Sequence, residues 1–415
     1  MSLTEYFIAA VVFIIAFGLS FQYSQNSSLP GSPAIPGTTI QPSNTPGGPT
    51  VTNSPLSPSP TLIISPTTTP AVPISPPTFT GTGIWMSKED IAKLPTSGAG
   101  WDRVLNYANQ NTGTPNIKSI DDDADVKTVA KALVYARTGN LTYRSQVRDT
   151  IAAVMTTQFS SGDVILARNR NIGAYAVAAD LIDLKSFDPG LDSSFHVWLR
   201  KVLDEPGSSA AGGVNSVRDA MMKVPTNGGN HARSTVIAIA LYLGDTTLVQ
   251  TAADRFQDWL GRSASGFSWD NGSGASWQSD SSNFNGINPV GGIIAGHNVS
   301  GVLPEDQKRG GSFNWPPPKE GYVYEGLQGV LSAAWMLYRA GYPAFQWENQ
   351  AILRAYEWLN TPQFIPGNSL YLASDVGDGH QPWLVNYIYG TNFGGTEIAG
   401  PGKNGLGFYY WTHAK

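Results

Sequence analysis

Apolar residues recur at helical spacing through most of this chain, and each run ends at a glycine or a proline. The same spacing predicts helices at 123–138, 141–158, 171–184, 191–203, 230–243, 246–260, 327–338 and 347–359. Period-two alternation, which would indicate strands, is scarce before the last 50 residues. The sequence therefore predicts an all-α dominated domain over 83–415, with some irregular or β structure near the C-terminus.

Consecutive helices joined by short breaks pack as antiparallel hairpins. A domain of this size would hold about four to six such hairpins, arranged as a superhelical solenoid or as a closed ring. No repeat of fixed period is visible in the sequence, which disfavours a regular solenoid.

The N-terminal residues form a separate region with Glu5 as the single charged residue before Lys88. Apolar residues fill 7–21, which is shorter than the roughly 20 residues that a membrane-spanning helix needs. We expect 1–23 to be a signal peptide or an N-terminal membrane anchor, and both alternatives stay open. The linker 24–82 is rich in Pro, Ser and Thr, so it should remain a disordered stalk. This organisation predicts an extracellular or cell-surface protein.

Composition excludes several classes of site. The chain has no Cys, which excludes disulfides, thiolate metal sites and a cysteine nucleophile. Its net charge of −5 argues against nucleic acid as a partner. The five His residues show no metal-ligand spacing such as H-E-x-x-H, so we expect no metal and no cofactor.

Two short segments carry candidate chemistry. The first is 227–233, Asn-Gly-Gly-Asn-His-Ala-Arg, where Asn230 could be a helix N-cap with an incidental His231 beside it. Alternatively, Asn230 and His231 lie where a helix N-terminus meets a groove, a place that favours anions. In the second segment Arg309 precedes a helix that opens with Tyr322 and Tyr324, which could also be packing aromatics.

An Asn-His pair that opens a central helix, then an Arg, then Tyr-x₄-Leu-Gln, resembles the alginate-lyase-type polysaccharide lyases. The segments 168–180 and 229–245 are also typical of that family. The resemblance extends over most of 84–415 and implies an incomplete (α/α) toroid of about five to six helical hairpins. It also implies a monomeric, secreted enzyme that needs no cofactor and acts on an acidic polysaccharide.

The resemblance assigns roles to four residues. Asn230 would neutralise the substrate carboxylate, His231 would be a base or stabiliser, and Arg309 would be a carboxylate or charge partner. Tyr322 would be the acid, with Tyr324 as its alternative. β-Elimination removes a proton next to a carboxylate, and that proton becomes acidic only when hydrogen-bond donors mask the carboxylate charge. Whether His231 or Tyr322 takes the proton depends on the stereochemistry of the sugar.

Further residues are candidates for binding the glycan. Polar and aromatic side chains could line a groove, with helix-start salt bridges and core packing as the alternatives. The substrate-binding candidates are Arg168, Arg170, Asn171, Tyr175, Arg233, Tyr324, Trp277, Trp315 and His297. Trp269, Trp383 and His380 could also face a cleft.

Two other functions remain open. A glycoside hydrolase on a similar helical barrel would need two carboxylates, for which Asp219, Asp270 and Glu325 are candidates. A non-catalytic glycan-binding surface protein would use the same groove without reacting. The presence of Asn230, His231 and Tyr322 together favours the lyase over simple binding.

Overall fold

Helices make up most of the structure, which confirms the prediction of an all-α dominated chain. The structure is a computed structural model that describes residues 83–209, 213–262, 276–280, 282–361, 382–394 and 406–413. The helices in these segments are α1 Lys88–Ala92, α2 Ala99–Asn109, α3 Ala124–Thr138, α4 Leu141–Val154, α5 Ile165–Leu181, α6 Leu184–Phe187, α7 Pro189–Val202, α8 Val217–Lys223, α9 Asn227–Leu243, α10 Thr246–Leu260, α11 Pro304–Gln307, α12 Tyr322–Arg339, α13 Trp347–Leu359, α14 Pro382–Tyr389 and α15 Tyr409–Thr412.

Strand structure in the described segments is confined to one short hairpin. Strand β1, Ile293–Ile294, pairs antiparallel with β2, His297–Asn298. The expected β structure near the C-terminus is not found in the C-terminal residues that the structure describes, where α14 and α15 lie. Several predictions fall outside the described residues: the signal or anchor 1–23, the linker 24–82, Trp269, Asp270 and His380.

The predicted helices agree with the observed ones best where a local stop signal is present. Helix α3 ends at Gly139, which takes the left-handed conformation with φ 72° that glycine adopts readily. Helix α10 begins after Asp245, whose side chain accepts a hydrogen bond from the Leu248 amide. The largest differences are at the starts of α5 and α12, which come six and five residues earlier than the apolar spacing predicts (165 against 171, 322 against 327). Helix α4 ends four residues earlier (154 against 158), and α9 begins three residues earlier (227 against 230).

Three helices form the centre of the domain. In α5, α9 and α12 nearly every residue is buried, polar ones included. A helix that is buried on all sides belongs inside a packed layer, whereas α2, α7 and α10 bury one face only. Helix α9 packs between α5 and α12, and α5 packs in turn against α3.

Small side chains let the central helices approach closely. The Gly173 amide of α5 donates to the hydroxyl of Thr235 in α9 at 3.2 Å. Four residues earlier in α5 and seven residues earlier in α9, the Asn169 side-chain amide donates to the Gly228 carbonyl at 3.0 Å. Because both contacts advance along the chain together, α5 and α9 run parallel, and their N-terminal turns lie side by side.

Candidate active site

The N-terminus of α9 is the centre of the candidate site. The helix begins at Asn227 with Thr226 as its N-cap, so the prediction that Asn230 is the N-cap is wrong. Gly229 lies in the first turn, at a position that has room only for glycine, because a Cβ there would be 1.8 Å from the carbonyl oxygen of Val224. The backbone amide of Asn227 has no partner within its own helix, and it donates instead to Oδ1 of Asp306 at 3.0 Å.

Asn230 is held in a fixed orientation one turn into the helix. Its Oδ1 accepts a hydrogen bond of 2.7 Å from Nη1 of Arg233, and Nη2 of Arg233 donates to the Val224 carbonyl at 2.8 Å. Asn230 is fully buried, and its Nδ2 has no hydrogen-bond partner. Arg233 is also fully buried and positions the Asn230 amide, while its contact with substrate stays a prediction.

His231 is fully buried, and neither ring nitrogen has a hydrogen-bond partner. Burial lowers the pKa of His231 well below its usual range, and the nearby Arg170 guanidinium lowers it further. The imidazole is therefore neutral at physiological pH and has a lone pair that can accept a proton. The approach of a carboxylate would raise this pKa again.

Arg170 connects α5 to α12. Its Nη2 lies 2.6 Å from Oε2 of Glu325, a residue 155 positions later in the chain. Arg170 is buried, whereas about a quarter of the Glu325 side chain is exposed (26%). The Arg170 guanidinium acts electrostatically on His231, so this ion pair lies near the imidazole.

Arg309 and Tyr322 lie against each other at the exposed edge of the site. The Arg309 guanidinium carbon is 3.5 Å from the centre of the Tyr322 ring, a cation–π contact. Tyr322 is the first residue of α12 and is 37% exposed, so its hydroxyl is available to a ligand. Tyr324 is fully buried with its ring against Tyr356, so its predicted roles as alternative acid and substrate contact need the site to open, as do those of Asn230 and His231.

Asp306 is the functional candidate that sequence reasoning missed. Its Oδ1 accepts from Asn227, and its Oδ2 is buried without a hydrogen-bond partner. Gly326 of α12 leaves the necessary room, because a Cβ there would be 2.6 Å from Oδ2 of Asp306 and 3.5 Å from Nδ2 of Asn230. Burial raises the pKa of Asp306 to about 7, an effect opposed by the Asn227 amide and Arg309 and reinforced by Glu305 and Glu325.

Three other predicted binding residues of α5 serve the fold. Arg168 is fully buried and donates to the carbonyls of Glu205 and Pro206, both at 2.8 Å. Asn171 is buried and donates to the Ser119 carbonyl at 3.2 Å. Tyr175 is buried, and burial raises its pKa well above the usual range. Arg168 and Asn171 thus hold neighbouring loops and Tyr175 belongs to the core, while their contact with substrate stays a prediction.

The predicted sugar-stacking aromatics divide into buried and accessible ones. Trp277 is fully buried and donates to the Gly311 carbonyl at 2.9 Å, so its core-packing alternative holds. His297 and Trp315 are stacked with ring centres 4.1 Å apart, and both are partly exposed. Trp383 is partly buried and packs edge-on against Tyr410.

Asp219 is the remaining carboxylate candidate in the described segments, and its helix α8 packs against α9. Asp219 belongs to α8, where its amide is capped by Ser216 and its carboxylate lies 3.8 Å from Lys223. No group of three or more His, Asp or Glu side chains in the described segments could hold a metal ion. Within those segments no helix is long and apolar enough to cross a membrane.

The Asp306→Asn substitution is expected to stabilise the protein increasingly as the pH rises. The folded pKa of about 7 exceeds the unfolded value of 3.8, so the folded state retains a proton over that interval and loses stability as the pH increases through it. Asn cannot ionise, and its carbonyl can still accept from Asn227. Relative to wild type, the variant should gain about 2 kcal/mol of unfolding free energy between about pH 5 and about pH 8. Urea unfolding at both pH values measures this difference.

Asp280→Asn is the matched control, because the Ser282 hydroxyl and amide lower the pKa of that exposed carboxylate. Asp280 is therefore charged in both the folded and the unfolded state across the same interval, and its variant should show no such gain. A pH-independent effect at Asp306 would mean that its carboxyl is solvated rather than buried.

The site thus brings together Asn230, His231, Arg170, Asp306 and the exposed pair Arg309 and Tyr322. Comparison of the chain with protein-family models and with curated proteins found no match in either set.

Proposed function

We propose that this protein is a polysaccharide lyase that cleaves a uronic-acid-containing glycan by β-elimination. The proposal includes the alginate-lyase-type family, an (α/α) toroid as the arrangement of its helices, and an extracellular location in which 24–82 is a stalk. It rests in part on the resemblance to that family, which Asn230, His231 and Tyr322 carry.

The main support is a concentration of buried polar atoms without partners around the first turns of α9. These atoms are Nδ2 of Asn227, Nδ2 of Asn230, both ring nitrogens of His231, Oδ2 of Asp306 and Nε of Arg170. Each such atom costs about 1–3 kcal/mol when it is left unsatisfied, so a fold rarely accumulates several in one place without a ligand or a catalytic role. A bound uronate, which has a carboxylate and several hydroxyls, would supply partners to this set.

In the proposed reaction, Nδ2 of Asn230 and the Arg309 guanidinium hydrogen-bond the substrate carboxylate. They stabilise the negative charge that develops on it when the proton on C5 is removed. Arg233 contributes indirectly because it holds Oδ1 of Asn230, which directs the donating amide nitrogen away from Arg233. In one route neutral His231 accepts the C5 proton and the Tyr322 hydroxyl protonates the departing O4. In the other, Tyr322 first gives up its hydroxyl proton, then accepts the C5 proton and passes that proton to O4.

Access to Asn230 and His231 requires movement at the edge of the site, since both are fully buried. Arg309 and Tyr322 are the exposed members of the set, and their side chains can rotate without opening the core. A negatively charged substrate would attract the Arg309 guanidinium away from the Tyr322 ring. That displacement would bring the guanidinium onto the substrate carboxylate.

The test is a screen of the full-length protein against uronate polymers with EDTA present. The panel comprises alginate, glucuronan, pectate, hyaluronan, chondroitin and a heparin-type polymer. The expected result is an increase in the ultraviolet absorbance of an unsaturated uronate with one of them. Absence of the unsaturated product from every polymer would contradict the proposal.

A glycoside hydrolase is the second candidate, and Asp306 is the observation that favours it. Its raised pKa keeps part of the carboxyl protonated at neutral pH, as a general acid requires. Glu325, whose Oε2 lies 2.6 Å from Nη2 of Arg170, is the nearby carboxylate. A protonated carboxyl beside a second carboxylate is the arrangement on which glycosidases depend. New reducing ends without an unsaturated product would support this function in place of the lyase.

A further inference from the structure

A cleft formed by other helices lies between the C-terminal end of α2, the middle of α3 and one side of α4 along most of its length. Its volume is about 670 Å³, which is within the range of small-molecule binding sites. None of the side chains that line it belongs to the candidate active site. We call it the amide cleft because side-chain amides dominate its lining.

Most of the side chains that line the amide cleft are polar and uncharged. The five carboxamides in it are Asn109, Gln110, Asn111, Asn140 and Gln146. Three threonines and one tyrosine add hydroxyl groups, and the apolar lining residues are alanines. The side-chain oxygens of Asn109, Asn111 and Asn140 already accept hydrogen bonds from the Tyr143 hydroxyl and from the Gly113 and Thr142 amides, and Nε2 of Gln110 donates to Asn106. The carboxamides therefore offer mainly N–H donors, which a ligand with many neighbouring hydroxyl oxygens can accept.

The two charged residues at the cleft are already engaged. Lys131 is buried, and its ammonium donates to the carbonyls of Ala108 at 2.5 Å and Gln110 at 2.7 Å. Asp149 lies 2.7 Å from Nη1 of Arg148. The cleft therefore offers no strong attraction to an anion or a cation.

Cross-cleft contacts hold the walls in place before any ligand arrives. Lys131 ties the end of α2 to α3, and the Tyr143 hydroxyl of α4 donates to Oδ1 of Asn109 at 2.7 Å. A preorganised site loses less conformational entropy on binding than a mobile one. The half-buried Tyr143 ring also gives a flat apolar surface at the wall.

We propose that the amide cleft binds a neutral oligosaccharide. Hydroxyl-rich and uncharged sugars match the amides and hydroxyls of the lining, and one sugar face can lie on the Tyr143 ring. A peptide would require apolar anchor pockets, and a phosphate would require a cationic side chain that is not already engaged. This inference is independent of the proposed lyase activity.

The test is calorimetric titration of full-length protein, produced in a bacterial host, with neutral hexasaccharides of the β-glucan, xylan, mannan, chitin and starch types. We expect at least one to bind with a dissociation constant below about 10 mM. Gln146→Ala should weaken that binding about five-fold, since it removes one amide. Gln146→Trp should abolish binding, because the indole fills the cleft.

Ser145→Ala is the control, since Ser145 is exposed on the same helix but does not line the cleft. It should bind like wild type, and all variants should melt at the wild-type temperature. Absence of binding by every hexasaccharide would overturn the proposal. Equal binding by wild type and Gln146→Trp would also overturn it, because the sugar would then be bound elsewhere. The uronate-polymer screen is unaffected by either result.

Discussion

Tyr322→Phe is expected to lower the rate of uronate elimination by about 10²–10⁴-fold, the usual contribution of a general acid. The substitution removes only the hydroxyl that would protonate the leaving oxygen. The ring that stacks on Arg309 remains, and so does the Tyr322 amide that donates to Oε1 of Glu320 at 2.9 Å. The variant should therefore fold and melt like the wild type. Initial rates on the polymer identified by the screen, together with thermal melting, measure both effects.

Tyr342→Phe is the matched control, because it removes a phenol hydroxyl beyond the other end of the same helix. That hydroxyl contacts Oε1 of Gln250 at 3.1 Å and has no place in the proposed reaction. Its rate should equal that of the wild type. If Tyr322→Phe retained full activity, Tyr322 would not be the acid. Tyr324, the alternative from sequence, could not take over while it stays buried against Tyr356.

The helices could be predicted where the determining signals are local. Apolar spacing and a following glycine or preceding aspartate are sufficient for α3 and α10. The start of α9 could not be predicted in the same way, because the group that satisfies its first amide is Asp306, 79 residues later. Asparagine is a residue type that favours the N-cap position, which made Asn230 a candidate, but tertiary packing moves the start of the helix to Asn227.

The residues of the candidate site also divide into those with a local sequence signal and those that depend on contacts distant in sequence. Asn230, His231 and Tyr322 could be selected because they stand in short, recognisable segments. Asp306 has no such signal, since the consequence of its burial depends on a gap left by Gly326 in another helix. Arg168 and Arg170 are equivalent in sequence, yet the first donates to loop carbonyls and the second pairs with Glu325.

Gly329→Ala is expected to destabilise the protein by about 3 kcal/mol or more, because α12 crosses α9 at this residue with no space for a methyl group. A Cβ on Gly329 would lie 2.6 Å from the carbonyl carbon of Asn230 and 2.6 Å from the amide nitrogen of His231. Both are backbone atoms of a buried helix, so they cannot rotate away as a flexible side chain could. The helices would have to separate, and the packing of the core around them would be lost.

Gly321→Ala supplies the control at the entry to the same helix. Its backbone is already in the right-handed helical region, and a Cβ there would meet nothing within 4 Å. It should therefore unfold in urea at the wild-type concentration, whereas Gly329→Ala should unfold well below it. Equal stability of the two variants would show that α9 and α12 are not in backbone contact. The expected loss would instead mean that the crossing at Gly329 sets the distance between the α12 segment that begins at Tyr322 and the Asn230–His231 peptide, and so the geometry on which the proposed elimination depends.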